Sequence, residues 1–114
     1  MDKLENYRKV LQDIILNYAQ YKPSHGHLET IPVCDTALDE YLLLVVGWDK
    51  PGRVHDVTIH TRIRDGKVLI EWDGIEQGIV QDMIDAGIPE EDIKFVSYSD
   101  YVKENEQVKD VAVA

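Results

Sequence analysis

The chain has 114 residues and carries 12 Lys and Arg against 22 Asp and Glu, a formal net charge of −10 at pH 7. This length excludes a two-domain protein, and a hydrophobic content of 44% excludes a chain too polar to build a core. The single cysteine, Cys34, excludes an internal disulfide and any metal site built on several thiolates.

The N-terminal segment has the periodicity of an amphipathic helix of about five turns. Apolar residues recur at spacings of three and four from Leu4 to Tyr21, and polar residues fall mostly on the other side. Pro23 disfavours helical geometry in the residue before it. The helix is therefore predicted to end at Tyr21–Lys22.

The apolar period changes to two between Leu28 and Asp73, which predicts strands. A first strand over residues 28–33 contains Pro32, which favours a position at a sheet edge. The next segment, Tyr41–Trp48, is almost wholly apolar, which is typical of a central strand covered on both faces.

Two turns divide the strands that follow. Residues 49–52 read Asp-Lys-Pro-Gly, a turn by composition, and Asp65–Gly66 is typical of a tight hairpin with positive backbone angles. Apolar and polar residues alternate over 57–64 and over 67–73. Three consecutive strands in an antiparallel meander are therefore predicted.

A second helix and a last strand complete the predicted fold. Asp73 and Glu76 have the spacing of a capped helix start, and Gly87 and Pro89 follow where the apolar period ends. A single helical turn is expected at residues 89–92 and a short strand at 93–98. The helices and strands predict the α+β class, a mostly antiparallel sheet with a long N-terminal helix and a second short helix packed on one face.

This domain is predicted to span residues 1–102, with 103–114 as a flexible C-terminal tail. No apolar run approaches the roughly 18 to 20 residues of a membrane helix. The N-terminus lacks the basic-then-apolar layout of a signal peptide. We therefore expect a cytoplasmic protein without a membrane contact.

The sequence disfavours two kinds of chemical site, a metal site and a catalytic carboxylate cluster. The imidazoles and the thiol that could hold a metal match no known ligand spacing; they are His25, His27, His55, His60 and Cys34. Glu71, Asp73 and Glu76 could form a catalytic carboxylate cluster, but no nucleophile or phosphate-binding loop stands beside them. We expect no catalytic residue, no metal and no cofactor.

The charge distribution singles out a basic stretch. Residues 53–67 carry four Lys and Arg against two Asp and Glu, whereas residues 68–93 carry none against eight. The cationic and imidazole side chains of this stretch are Arg53, His55, His60, Arg62, Arg64 and Lys67. Strand alternation puts the row His60, Arg62 and Arg64 on one face and the pair Arg53 and His55 on the other.

Three interpretations of this basic stretch stay open. It balances the charge of the molecule's own acidic second helix, it binds a protein partner, or it contacts nucleic acid phosphates. Trp48 lies beside Arg53 across a predicted turn, and an aromatic residue next to an arginine is typical of interfaces. Trp48 is equally explained as the end of a buried strand. The candidate contact residues are Trp48, Arg53, His55, His60, Arg62 and Arg64.

An ordered series of short motifs runs from residue 1 to about residue 98. These motifs are Asp2-Lys3-Leu4, Tyr18-Ala19-x-Tyr21-Lys22-Pro23-Ser24, Tyr41-x-Leu43, Gly47-Trp48, Arg53-Val54-His55, His60, Ile63, Asp65-Gly66-Lys67, Asp73-Gly74, Glu76-x-Gly78 and Gly87-Ile88-Pro89-x-Glu91-Asp92-Ile93. In this order they resemble the XisI family. Cys34, Leu69 and Trp72 depart from the family pattern, which bears on packing.

The resemblance implies a small α+β fold, no known cofactor and no established catalytic residue. It also implies an accessory role in the programmed excision of a DNA element in heterocyst-forming bacteria, of the kind named after the fdxN element excision controlling factor. Strand exchange there belongs to a separate recombinase, and XisH is a second accessory protein.

We therefore predict a non-enzymatic controlling factor that acts through protein contacts, most simply with an XisH-like partner, and that reaches DNA only indirectly. The open sheet also allows a homo-oligomer. A DNA-binding accessory factor that uses Arg62 and Arg64 is the first alternative. A small carboxylate-dependent hydrolase is the second.

Overall fold

The computed structural model of the protein describes residues 2–22, 26–99 and 102. Two helices pack on one face of a five-stranded sheet. The elements are α1 (Lys3–Ala19), β1 (His27–Asp35), β2 (Glu40–Asp49), β3 (Gly52–Arg64), β4 (Lys67–Asp73), α2 (Val80–Asp85), a 3₁₀ turn (Glu90–Asp92) and β5 (Ile93–Phe95). The predicted α+β class, with a mostly antiparallel sheet, is confirmed.

The first helix begins with a side-chain cap and ends earlier than predicted. The Asp2 carboxylate accepts a hydrogen bond from the Glu5 backbone N–H at 2.8 Å, which satisfies one of the free donors of the first turn. Its last residue is Ala19, whose carbonyl oxygen accepts a hydrogen bond from the Thr30 hydroxyl at 2.9 Å. A contact with β1 therefore accompanies a helix end that lies before the predicted boundary at Tyr21–Lys22.

The sheet has the strand order β1-β2-β3-β4-β5. The pairs from β1 to β4 are antiparallel, and β5 pairs with β4 in parallel. In the described part of the chain β1 lies at an edge and β2 between two strands, as predicted. The Asp65–Gly66 hairpin has φ values of 54° and 75°, which are the positive angles that its sequence indicates.

The hydrophobic core lies between the helices and one face of the sheet. Helix α1 contributes Tyr7, Leu11 and Ile15, and β2 contributes Tyr41 and Leu43. The residues that alternate with them along β2, such as Leu42 and Leu44, point to the other face and are only half-buried. The prediction that β2 is covered on both faces is therefore wrong for the described part of the chain.

The second helix begins later than predicted. It starts at Val80, because the two oxygens of the Asp73 carboxylate accept hydrogen bonds from the backbone N–H groups of Ile75 (3.1 Å) and Ile79 (2.9 Å). These bonds hold residues 74–79 in a loop. Asp73 is thus the anchor of a loop and not the cap of a helix.

The C-terminal elements follow the prediction in kind. The single turn is a 3₁₀ turn, and the last strand is limited to Ile93–Phe95. The predicted tail, residues 103–114, lies outside the described residues. In the part of the chain that the structure describes, no helix combines the length and the apolar composition needed to cross a bilayer.

Candidate protein-binding face

The sheet face that points away from the helices, called the open face below, carries a group of exposed and half-buried apolar side chains. Residues directly opposite each other in a sheet share a face, so the register with β2 assigns them to it. This apolar strip consists of Ile31, Val33, Leu42, Leu44, Val46 and Val57. Val33 is 39% exposed and Val57 is 37% exposed. Isolated exposed apolar residues are ordinary, but a contiguous set is typical of a binding surface.

One end of the open face is a charge cluster around Glu40. The Glu40 carboxylate accepts hydrogen bonds from His60 Nε2 at 2.8 Å, Arg62 Nε at 2.7 Å and Arg64 Nη2 at 2.5 Å. Arg62 Nη1 also contacts Glu71 Oε2 at 3.3 Å. Burial raises the pKa of Glu40, but the hydrogen bonds from His60 and Arg62 outweigh it and hold this pKa below its usual value.

The row of His60, Arg62 and Arg64 is therefore paired within the molecule. Its acidic partners are Glu40 on β2 and Glu71 on β4. The interpretation that these basic side chains balance the charge of the acidic second helix is wrong, because that helix lies on the other side of the sheet. The phosphate-binding capacity of these side chains is reduced by the carboxylates that already contact them.

The other end of the open face carries Trp48 and Arg53. The Trp48 side chain is 59% exposed, and the Arg53 guanidinium lies 5.6 Å from its ring centroid, within the range of a cation–π contact. Arg53 Nη1 also donates to the Gly47 carbonyl oxygen at 3.2 Å. The interpretation of Trp48 as the end of a buried strand is therefore wrong.

A β-bulge changes the predicted facing of Arg53 and His55. Leu43 pairs with Ile59 and Leu44 with Val57, so β3 has one extra residue, Thr58, at this point. Strict alternation put Arg53 and His55 on the face opposite His60, but the extra residue reverses that relation. Both side chains now lie on the open face, where they are exposed.

A second bulge places an aromatic residue of β4 on the open face. His60 pairs with Trp72 and Thr61 with Ile70, which leaves Glu71 as the extra residue of β4. Trp72 consequently shares the open face with His60, and its side chain is 60% exposed. The alternation of residues 67–73 could not reveal this, because a bulge leaves no signature in the apolar period.

Comparisons with known proteins agree with this architecture. The sequence matches the family model described as XisI protein over residues 1–112. The chain belongs to the XisI family. Two crystal structures from Anabaena variabilis ATCC 29413 resemble it. The first is a XisI-like protein with 27% identity and a TM-score of 0.74, and the alignment covers 80% of this chain and 84% of that protein's chain. The second is the fdxN element excision controlling factor XisI with 36% identity and a TM-score of 0.70, and the alignment covers 82% of this chain and 85% of that protein's chain. No curated protein matches the chain significantly.

Two glycines of the family-like motifs have a structural explanation in this XisI-family chain. A Cβ on Gly47, whose φ is +141°, would lie 2.0 Å from the His27 carbonyl oxygen, so the β1–β2 contact requires a glycine there. At Gly74 a Cβ would lie 3.0 Å from the Thr58 carbonyl oxygen, which accepts the Gly74 N–H at 2.7 Å. The loop after β4 is thereby joined to the bulge of β3.

The side chains considered for metal binding do not converge in the described part of the chain. No group of three or more His, Cys, Asp or Glu with metal-binding geometry occurs there, and His25 lies outside the described residues. Burial raises the pKa of the Cys34 thiol, which disfavours the thiolate that a metal requires. His60 is engaged by Glu40.

The carboxylates considered for catalysis have structural partners or remain apart. Asp73 accepts two backbone hydrogen bonds, and Glu71 contacts Arg62. Glu76 lies in the loop on the helix side of the sheet, whereas Glu71 belongs to the open face. The three carboxylates therefore do not form a single site.

Proposed function

We propose that this XisI-family chain is a non-enzymatic controlling factor that acts through protein contacts made by its open face. The observation that carries the proposal is the apolar strip, flanked by the exposed Trp48 and left uncovered by the described helices. An apolar centre with charged groups at its rim has the composition of a protein interface. The described helices pack on the other face of the sheet, so they do not explain this surface.

The charges of the open face support a protein partner over DNA. Arg62 and Arg64 are paired with Glu40, and the whole chain carries −10, so it repels a polyanion. A duplex-binding protein gains most of its nonspecific affinity from Lys and Arg that face phosphates. Arg53 and His55 are exposed on the open face, but they supply few of the contacts that a phosphate-tracking surface needs.

The role and the partner are proposed from the family. The similar XisI structure is described as an fdxN element excision controlling factor. We propose the same kind of role here, with an XisH-like protein as the partner and programmed excision of a DNA element as the process. An acidic domain complements a basic surface on a protein that works on DNA, and such complementarity guides association.

Co-expression with the XisH-like protein of the same genome tests the proposal. Size-exclusion chromatography with light scattering should show a complex that contains both chains. Val57→Asp places a charge in the apolar strip and should weaken this complex at least tenfold, the loss typical of an interface centre. Leu16→Asp makes the same change at a 49% exposed position of α1, on the other side of the sheet, and should leave affinity within about twofold.

Three outcomes would count against the proposal. An equal loss of affinity in Val57→Asp and Leu16→Asp would show that the effect comes from folding or from net charge, and not from the open face. A complex that survives Val57→Asp moves the contact away from the open face. Electrophoretic shift of DNA by the chain alone at moderate salt, lost in Arg53→Glu, supports direct DNA binding instead. Light scattering of the chain alone also tests the predicted homo-oligomer, which Val57→Asp should dissociate if it uses this face.

A further inference from the structure

A cleft opens on the helix side of the sheet, between the end of α1 and the loop that precedes α2. Its volume is about 670 Å³, within the roughly 300–1,000 Å³ of small-molecule sites. Leu43, Val45 and Ile75 supply apolar lining. The close approach of Gly74 to Thr58 shapes one wall. The residues that line this cleft do not belong to the open face.

Two tyrosines at the end of α1 form an aromatic wall of the cleft. The ring centroids of Tyr18 and Tyr21 are 6.2 Å apart, with the ring planes inclined at 44°. The Tyr18 hydroxyl donates to Asp82 Oδ2 at 2.6 Å, which fixes the ring against α2. This hydrogen bond, together with burial, raises the pKa of Tyr18 to about 12, so the hydroxyl stays protonated. Tyr21 is 66% exposed and leaves its ring open to a ligand.

The charges of the cleft favour a cation. Glu76 and Asp82 line it with two carboxylates, and Lys22 is the cationic side chain among its lining residues. Within the part of the chain that the structure describes, neither Glu76 nor Lys22 makes an ion pair. A carboxylate beside aromatic faces is the combination that attracts organic cations, through Coulomb attraction and cation–π contact.

We propose that this cleft binds a small planar aromatic amine. The ring packs against Tyr21, Tyr18 and the apolar lining, and the protonated amine faces the carboxylates of Glu76 and Asp82. This binding is independent of the partner proposed for the open face, because the two sites lie on opposite sides of the sheet. The experiments below therefore fail or succeed separately from the co-purification.

A titration of the ¹⁵N-labelled full chain with three indole probes tests the proposal. The probes are tryptamine, which is cationic, indole, which is neutral, and indole-3-acetate, which is anionic. We expect tryptamine to shift the amide resonances of Gly74, Ile75 and Gln77 with saturation, and to bind at least several-fold more tightly than indole-3-acetate. Indole should fall between them, because it keeps the stacking and lacks the charge.

Variants with matched controls assign the binding to the cleft. Tyr21→Ala should weaken tryptamine binding at least fivefold, whereas Tyr98→Ala, at an 84% exposed tyrosine outside the cleft, should not change it. Glu76→Gln should weaken it by about twofold to fivefold, as for an exposed charge pair, and Glu90→Gln should not. All four positions are exposed, so the variants should fold.

The proposal is overturned by several results. Binding with the same affinity for all three probes would indicate simple apolar adsorption. Tighter binding of indole-3-acetate would reverse the charge argument. Equal effects of Tyr21→Ala and Tyr98→Ala would place the probe elsewhere, as would shifts confined to β2 and β3 of the open face. The absence of any saturable shift with tryptamine would remove the site.

Discussion

Replacement of Glu40 by glutamine should destabilise the protein by about 2 kcal/mol at pH 7. Glu40 accepts charge-assisted hydrogen bonds from His60, Arg62 and Arg64, at 2.8, 2.7 and 2.5 Å. Glutamine keeps one acceptor oxygen and removes the negative charge. Arg62 and Arg64 then lose the charge that they share, and what remains is the contact of Arg62 with Glu71 and the electrostatic attraction of Arg64 to Asp39.

The magnitude follows from the burial of the cluster. The side chains of Glu40, Arg62 and Arg64 are 22%, 29% and 33% exposed, so they are neither fully solvated nor fully buried. Exposed ion pairs contribute roughly 0.2–1 kcal/mol, and loss of one partner of a buried pair costs about 3–5 kcal/mol. An intermediate value of about 2 kcal/mol corresponds to a fall in Tm of about 8 °C for a chain of this size.

The effect of Glu40→Gln should also depend on pH in a defined direction. The pKa of Glu40 in the folded protein lies below its ordinary value of 4.5. As the pH falls, the unfolded chain therefore takes up the proton first, which favours unfolding. The advantage of glutamate over glutamine is complete above about pH 4.5, and it is lost as the pH falls through the pKa of the folded state.

Urea denaturation of the wild type and of Glu40→Gln at pH 7, 4.5 and 3 measures both effects. Asp13→Asn is the control, because the Lys9–Asp13 pair is 65% and 62% exposed and should contribute less than about 0.5 kcal/mol. A Glu40→Gln variant within 0.5 kcal/mol of the wild type at pH 7 would refute the argument. A difference that stays constant down to pH 3 would also refute it, since it would not come from the charge.

Two further predictions concern a close backbone approach and the tyrosines. Gly47→Ala should lower the free energy of unfolding by about 3 kcal/mol, because the new Cβ would overlap the His27 carbonyl oxygen. Gly52→Ala is the control, since its φ is +136° but its Cβ would meet no neighbouring atom, and it should lower the free energy of unfolding by only about 1 kcal/mol. Denaturation experiments measure both values. Burial and Asp92 raise the pKa of Tyr7 to about 12, and Tyr18 has the same value. Both hydroxyls should ionise near pH 12 in a titration followed at 295 nm, and the stability that they contribute should be present below pH 10 and lost between pH 10 and 12. Ionisation of all six tyrosines near pH 10 would contradict this.

The sequence predicted many of the residues of the open face, but it did not predict which side chains contact each other. The basic residues of β3 were visible as a charge pattern, and Trp48 was visible beside its turn. Their partners were not, because Glu40 reaches Arg62 and Arg64 across a strand pair that joins residues 22 and 24 positions apart. The cleft was not foreseen, since its walls come from segments that only tertiary packing brings together.

The amino-acid sequence by itself determined the element types, their order and the tight turns. Periods of 3.6 and 2, together with Pro, Gly and Asp at the turns, act over a few residues and need no distant partner. The motif series also determined the family, which the match over residues 1–112 confirms.

Only the tertiary structure decided which side chains share a face. Each of the two bulges inserts one residue, Thr58 in β3 and Glu71 in β4. Each insertion reverses the alternation of the side chains beyond it. A one-residue shift costs little in local propensity and is selected by packing across strands, so it leaves no local signal. The two bulges place Arg53, His55 and Trp72 on the open face, which the described helices do not cover.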